Sequence, residues 1–134
     1  MHVLQTPRVQ PHRTNGLRAL TYYAGDVAVI VVEGWLDPSS VSALERALKD
    51  AFANGHWNVV LDLHQLRSVD PITLDVLWAG LRGAIRRGGT LGTAGLRPSL
   101  EDAVGPLLIH GLRLHETVRD ALAASNEHNH HLGP

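Results

Sequence analysis

The sequence predicts an α/β fold, a single domain with a mixed sheet of four to five strands, an initial β-hairpin and about four helices. Two patterns carry this prediction. Runs of β-branched residues alternate with segments whose apolar residues recur at helical spacing, which favours parallel βαβ units. The first two runs lie close together along the chain, with only a turn between them, which favours a hairpin. The predicted order is therefore β-β-α-β-α-β-α-β-α.

The hairpin and the first helix have clear local signals. Residues 17–23 and 27–33 flank a turn at 24–26, and the second run, V-A-V-I-V-V, predicts a strand covered on both faces. Residues 34–40 end this strand and supply helix-capping side chains. A helix over about 40–53 follows, because apolar residues recur there at i, i+3, i+7 and i+10. These residues are Val41, Leu44, Leu48 and Ala51.

The middle of the chain continues to alternate strand and helix patterns. Residues 57–63 alternate apolar with polar side chains and predict a central strand, which a loop over 64–70 follows. Helical spacing resumes over about 72–87, and Gly88-Gly89 closes this second helix. A short strand is expected over 90–94.

The last third predicts two helices and an edge strand. Pro98-Ser99 with Asp102 resembles a capping box that opens a third helix, which Pro106 should break or kink. An edge strand is expected over 112–116, and a short helix over 118–124.

Both ends of the chain lack the apolar residues that offset the entropy cost of ordering. Residues 1–16 are therefore predicted to be a flexible N-terminal arm, residues 17–124 the folded domain, and residues 125–134 a flexible tail. Three histidines in this tail could bind a divalent ion, but a solvated tail without groups to orient them is favoured. They are His128, His130 and His131. No metal site or cofactor is predicted.

Composition excludes several functional classes. The 134 residues carry a formal net charge of -1, which removes the electrostatic footprint of a dedicated nucleic-acid binder. The absence of cysteine excludes disulfides, thiolate metal sites and a cysteine nucleophile, and it is compatible with a reducing cytoplasm. No window approaches the roughly 20 apolar residues that cross a bilayer, and the N-terminus has no signal-peptide pattern. We therefore expect a cytoplasmic protein without direct membrane insertion.

Catalytic motifs are missing from the sequence. It contains no G-x-G-x-x-G, G-x-x-x-x-G-K-[ST], G-x-S-x-G or H-E-x-x-H, and no spacing completes a nucleophile–base pair. Asp37, Asp62 and Asp70 are the carboxylates most expected to cluster, at the carboxyl edge of the sheet where α/β sites form. Capping of the first helix by Asp37 and of the second by Asp70 is favoured over acid–base catalysis. No catalytic residue and no enzyme activity are predicted.

The second predicted helix is apolar on two faces. Its core face is expected to hold Leu74, Leu77, Leu81, Ala84 and Ile85, with Trp78 packing at the edge of the core. The opposite face, which solvent normally keeps charged, carries a second apolar set. This set, the apolar ridge, consists of Ile72, Val76, Ala79 and Gly83. We expect the ridge to bind a partner protein or a second copy of the chain in a weak homodimer.

Several motifs occur in an order and spacing that resemble a known family. Residues 27–37 end in a G-x-L-D turn, and residues 59–70 read V-V-L-D-L-H-Q-L-R-S-V-D. A G-G-x-L strand entry follows at 88–91 and an x-G-L turn at Gly111-Leu112. Over about 20–124 the chain resembles the STAS domain family of bacterial anti-sigma factor antagonists and sulphate-transporter tails. The resemblance implies a non-catalytic interaction domain.

The resemblance also implies a switch region, formed by Asp70, Pro71, Ile72 and Thr73. In antagonists of this family the second helix begins D-S-S-G-L or D-S-T-G-L, and an anti-sigma factor kinase phosphorylates the second hydroxyl residue. Aligning Asp70 and Leu74 puts Ile72, which has no hydroxyl, at that position. The phospho-switch is therefore expected to be absent, or to have moved to Thr73 or Ser68.

Three functions follow from these observations. The leading one is docking of an anti-sigma factor or related kinase-like regulator through the apolar ridge and the edge at Asp37 and Asp70. The second, also implied by the resemblance, is the cytoplasmic STAS subunit of an ABC-type lipid-transport system. The third is a small nucleotide-binding regulatory domain using Asp37, Asp70 and Thr73. The nucleotide-binding function is disfavoured because phosphate-binding side chains are scarce near the start of the second helix, where only Arg67 is basic.

Overall fold

A computed structural model describes residues 10–104 and 113–132 of the chain. The strands are β1 (Gln10–Thr14), β2 (Leu17–Ala24), β3 (Val27–Leu36), β4 (Asn58–Val69), β5 (Thr90–Ala94) and β6 (Arg113–His115). The helices are α1 (Val41–Ala53), α2 (Pro71–Arg86), α3 (Glu101–Val104) and α4 (Val118–Leu132), and a short 3-10 turn over Pro98–Leu100 precedes α3. The predicted α/β class is confirmed.

The described strands form one sheet in the order β1-β2-β3-β4-β5-β6. Strands β1, β2 and β3 pair antiparallel, so the predicted hairpin between β2 and β3 is confirmed. Strands β3 to β6 pair in parallel. The sheet is therefore mixed, as predicted, but has six strands where four to five were expected.

Helices cover the sheet on both faces. Helices α1 and α2 lie on one face, because right-handed crossovers that add strands in one direction leave their helices on the same side. They pack against the larger core, which includes Ile30 and Leu61. Helix α4 packs on the other face through Ala121, against Val29 and Val60. Strand β3 is thus buried on both faces, as its continuous apolar run predicted.

Strand β4 is longer than predicted. Residues 64–69 were expected to be a loop, but they continue the strand beside β3 as far as Val69. The β3–β4 pairing shifts register twice, after Val31 and after Gly34, so β4 carries extra residues there. Such bulges break the two-residue alternation of a strand, and Leu63 and Leu66 both enter the core. The broken alternation is what made this segment resemble a loop in the sequence.

Both predicted flexible segments contain regular structure. Within the predicted arm, residues 10–14 form β1, an edge strand whose backbone pairs with β2 and which can therefore accommodate a proline. His12 also lies 2.8 Å from a carboxylate oxygen of Asp50 on α1. At the other end, α4 continues to Leu132, beyond the predicted boundary at 124. The side chains of the tail histidines fall outside the described part of the chain.

The region of the predicted third helix differs from the expectation. Ser99 lies inside the 3-10 turn, whose N-cap residue Arg97 makes no side-chain cap hydrogen bond. The helix that follows, α3, is a single turn ending at Val104. The predicted break at Pro106 and the Gly111-Leu112 turn lie outside the described residues. Strand β6 confirms the last edge strand.

Candidate functional site

The start of α2 lies at the carboxyl edge of the sheet, beside the end of β3. The backbone N–H of Asp70 donates to the carbonyl of Leu36 at 2.8 Å. The Asp70 carboxylate accepts hydrogen bonds from the backbone N–H of Thr73, at 3.0 Å, and from its hydroxyl. This is an N-cap, so the predicted capping role of Asp70 is confirmed. Pro71 occupies the first helical position, where a missing N–H costs nothing.

The residues near the start of α2 differ in their exposure and in whether they carry a free hydroxyl. Thr73 is only 6% exposed, and its hydroxyl is engaged by Asp70. Ile72 is 73% exposed but has no hydroxyl. Ser68, the other alternative for a switch, is half-buried near the end of β4, where it pairs with Trp35 of β3.

Asp37 does not cap α1, contrary to the prediction. Its carboxylate accepts hydrogen bonds from the hydroxyl of Ser39, at 2.7 Å, and from the Ser39 N–H, at 2.9 Å. These bonds, chiefly the one from the hydroxyl, hold the pKa of Asp37 below its ordinary value. The N-cap residue of α1 is Ser40, whose hydroxyl donates to the carbonyl of Trp35 at 2.6 Å instead of capping the helix. Asp37 therefore braces the turn that precedes α1.

Asp62, the third carboxylate of the predicted cluster, does not lie at the carboxyl edge of the sheet. Asp62 lies inside β4, where His64 Nδ1 is 2.5 Å from its Oδ1 atom. Burial, and secondarily the negative charge of Asp62, raise the pKa of Tyr22 on β2. Because β4 runs on past Asp62 to Val69, this carboxylate stops well short of the strand end. The prediction that Asp37, Asp62 and Asp70 cluster is therefore wrong for Asp62.

The apolar ridge on α2 is exposed wherever its side chains are described. Ile72 and Val76 expose 73% and 67% of their surface, and Ala79 is exposed as well. The opposite face is buried, as predicted, at Leu77, Trp78 and Leu81, and Leu74 packs partly against the core. Gly83, Ala84 and Ile85 fall outside the described side chains. Two large apolar residues thus face solvent one helical turn apart.

Sequence analysis did not single out Trp35, which is also exposed at this end of the sheet. Its side chain is 50% exposed, and the guanidinium of Arg67 lies 5.8 Å from the centre of its ring. The signal was present in the sequence, because side chains alternate along a strand. Val32 and Leu36 are buried on one face of β3, with Gly34 between them, so Trp35 lies on the opposite face.

The described residues contain neither a cluster of metal ligands nor a membrane-spanning helix. Among the side chains that the structure describes, no three or more metal-ligating groups come together. Within residues 10–104 and 113–132, every helix is too short or too polar to cross a bilayer.

Fold and site together define a single α/β domain with a helix-covered mixed sheet and an apolar helix face open to solvent. The family profile described as "Mlab, STAS domain" matches residues 21–114. The chain therefore belongs to the STAS domain family, as its motifs implied. No curated protein sequence matches the chain.

Solved structures with the same fold include anti-sigma factor antagonists. One from Mycobacterium paratuberculosis is 24% identical, with a TM-score of 0.70 over 81% of this chain and 92% of that chain. The unphosphorylated antagonist SpoIIAA is 14% identical, with a TM-score of 0.67 over 81% of this chain and 96% of that chain. A variant of RsbS from Moorella thermoacetica is 20% identical, with a TM-score of 0.65 over 80% of this chain and 93% of that chain. At these identities the likeness concerns the fold.

Proposed function

We propose that this STAS domain is a non-catalytic protein-interaction module resembling an anti-sigma factor antagonist. In this proposal it binds an anti-sigma factor or a related kinase-type regulator through the apolar ridge on α2. The observation that carries the proposal is the exposure of Ile72 and Val76. Residues four apart are neighbours on a helix, so these side chains form one patch. Burying each against a partner would stabilise the complex by about 1.5–3 kcal/mol.

The edge beside the ridge supplies polar groups at its rim. The hydrogen bond from Asp70 to Leu36 ties the start of α2 to the turn that contains Asp37. A partner seated on the ridge would therefore meet the Asp37 carboxylate near the start of the helix. Rim charges affect orientation and association rate more than affinity. We assign the affinity to the ridge and an orienting role to Asp37.

The proposed interaction lacks the usual phospho-switch. Ile72 stands at the position that aligns with the phosphoacceptor and offers no hydroxyl. The neighbouring hydroxyl, on Thr73, is buried and donates to Asp70. A kinase would have to break the helix cap to reach it. Because a phosphate would bring about two negative charges to an apolar contact, its absence leaves the ridge permanently competent to bind.

The test is an affinity measurement with a kinase-type anti-sigma factor of the source organism. Val76→Asp places a charge in the middle of the ridge and is expected to weaken binding by about tenfold or more. Ala123→Asp adds the same charge at an exposed position of α4, on the other face of the sheet, so it serves as the matched control and should bind as the wild type does. Circular dichroism would verify that both variants keep the fold. Wild-type affinity of Val76→Asp would show that the ridge is not the docking surface.

The same regulator, supplied with magnesium and ATP, tests the missing switch. Mass spectrometry should find no phosphate on residues 68–73 of the wild type. Ile72→Ser restores a hydroxyl at an exposed position and is expected to become phosphorylated. Phosphate on wild-type Thr73 or Ser68 would instead mean that the switch has moved.

A second candidate is the cytoplasmic STAS subunit of an ABC-type lipid-transport system. The family profile that matches this chain carries the description "Mlab" and does not mention anti-sigma factors, which favours keeping this candidate. The two candidates differ in partner and share the apolar ridge. Binding of the purified transporter ATPase, lost on Val76→Asp, together with no binding of anti-sigma factors, would favour the second.

A further inference from the structure

A cavity of about 550 Å³ opens on the face of the sheet opposite α1 and α2. Helix α4 packs near the amino ends of β3 and β4 and leaves their carboxyl ends uncovered on this face. Four arginines from separate parts of the chain line the cavity, and we call it the arginine groove. They are Arg13, Arg18, Arg67 and Arg97.

The charge in the arginine groove is poorly balanced. Its lining contains a single carboxylate, Glu33, which lies 3.8 Å from the guanidinium of Arg18. Among the described residues, the other three arginines have no carboxylate within ion-pairing distance. The groove therefore carries a local excess of three positive charges in a chain whose formal net charge is -1. Such a concentration of one sign attracts an oppositely charged ligand.

Two of these arginines are held side by side. Arg13 of β1 and Arg18 of β2 are direct partners in the antiparallel pairing. Like charges directly opposite each other destabilise a sheet, and an anion shared by the two would relieve that repulsion. The Arg13 backbone is also fixed, because its carbonyl accepts a hydrogen bond from Arg46 of α1 at 3.3 Å.

A third arginine rests on an aromatic support. Arg67 lies 5.8 Å from the ring centre of Trp35, and this cation–π contact leaves its N–H groups available to a ligand. The Trp35 ring lies close to the backbone of Gly16, where a Cβ atom would come within 3.3 Å of the ring. The bulges in β4 are what bring Gln65 and Arg67 to this face beside Trp35.

We propose that the arginine groove binds phosphate groups, carried either by a soluble polyphosphate or nucleotide or by a lipid headgroup. Guanidinium groups donate paired, parallel hydrogen bonds that match phosphate oxygens, and all four cations here are arginines. The open volume exceeds what a single small anion needs, which suits a ligand with more than one charged group. This site is independent of the apolar ridge, since α2 packs on the other face of the sheet.

Calorimetric titration of the full chain with inorganic pyrophosphate tests the soluble source. We expect saturable binding that weakens as salt is added. The double variant Arg18→Gln/Arg67→Gln should bind about tenfold more weakly, because it loses two charge-assisted contacts. Arg82→Gln/Arg86→Gln changes two exposed arginines of α2 outside the groove, and should bind pyrophosphate as the wild type does. If the double groove variant does not fold, Arg97→Gln, at an exposed loop position, is expected to weaken binding severalfold.

Sedimentation with lipid vesicles tests the other source. Binding to phosphatidylglycerol vesicles but not to phosphatidylcholine vesicles, lost in the groove variant and without pyrophosphate binding, would assign the phosphate to a lipid headgroup. Binding of neither probe would overturn the proposal. The proposal would also be overturned if Arg18→Gln/Arg67→Gln and Arg82→Gln/Arg86→Gln lost affinity for the phosphate probe equally. Equal losses would mean that the probe is attracted by positive charge in general and has no specific site.

Discussion

Helices α1 and α2 pack against the same core, yet they present different surfaces to solvent. Both bury one apolar stripe, which in α1 includes Leu44 and Leu48, and in α2 includes Leu77 and Leu81. The outer face of α1 is polar, with exposed residues Ser42, Glu45, Arg46 and Lys49. The outer face of α2 has charged residues along one side, namely Asp75, Arg82 and Arg86, but it also carries an exposed strip of apolar or small residues, namely Ile72, Val76, Ala79 and Gly80. The need for a core accounts for the inner stripes only.

The difference between the outer faces follows from what each one contacts. Part of the α1 surface is used within the chain, since Arg46 donates to the hydroxyl of Thr14 at 3.0 Å and Asp50 lies beside His12. These contacts hold β1 at the edge of the sheet. Among the described residues, nothing comparable covers Ile72 or Val76. The comparison teaches that α1 completes the fold, and it supports a role for α2 outside the chain.

The largest expected effect comes from comparing substitutions on the buried and the exposed face of α2. Leu77→Ala should lower the free energy of unfolding by about 2–5 kcal/mol, because it opens a cavity in the larger core. Val76→Ala, one residue away on the exposed face, should change it by less than about 0.5 kcal/mol. Urea denaturation measures both. Comparable losses from the two substitutions would mean that Val76 is covered by the chain and unavailable to a partner.

A smaller effect compares the starts of the two helices. Asp70→Ala removes the acceptor that caps α2 and should cost about 0.5–2 kcal/mol of stability. Asp70→Asn should recover most of this loss, because asparagine is also a good N-cap residue. Ser40→Ala at α1 acts differently, since its hydroxyl bonds a strand carbonyl and no helix N–H. Thermal unfolding of Asp70→Ala, Asp70→Asn and Ser40→Ala measures these effects. If Asp70→Ala unfolds at the same temperature as the wild type, Asp70 does not cap α2.

Regular periodicity allowed most of the fold to be predicted from the sequence. The hairpin, the first two crossover helices and strand β5 follow from apolar spacing between glycine-containing turns. Strand β1 could not be found this way, because backbone pairing and side-chain contacts with α1 hold it, without an apolar stripe of its own. The end of β4 was missed because bulges interrupt its alternation.

The candidate site was predictable only in part, for a similar reason. The exposure of Ile72 and Val76 and the cap by Asp70 depend on local spacing along one helix, and the sequence predicted both. Asp62 was placed wrongly because the length of β4 determines how far its carboxylate lies from the strand end. The arginine groove collects residues from β1, β2, β4 and the loop after β5. No local pattern brings such distant positions together.

The smallest expected effect concerns the turn before α1 and depends on pH. Hydrogen bonds from Ser39 lower the pKa of Asp37 in the folded state, so the carboxylate stabilises the turn at pH values above the unfolded pKa of about 4. That contribution is lost as the pH falls through the lower, folded-state pKa. The effect should be slight because solvent competes for this surface group. Thermal unfolding of the wild type and Asp37→Asn should show a small wild-type advantage at pH 6 that declines as the pH is lowered below about 4. An advantage that stays constant from pH 6 down to the lowest pH at which the protein remains folded would show that the charge of Asp37 does not stabilise the turn.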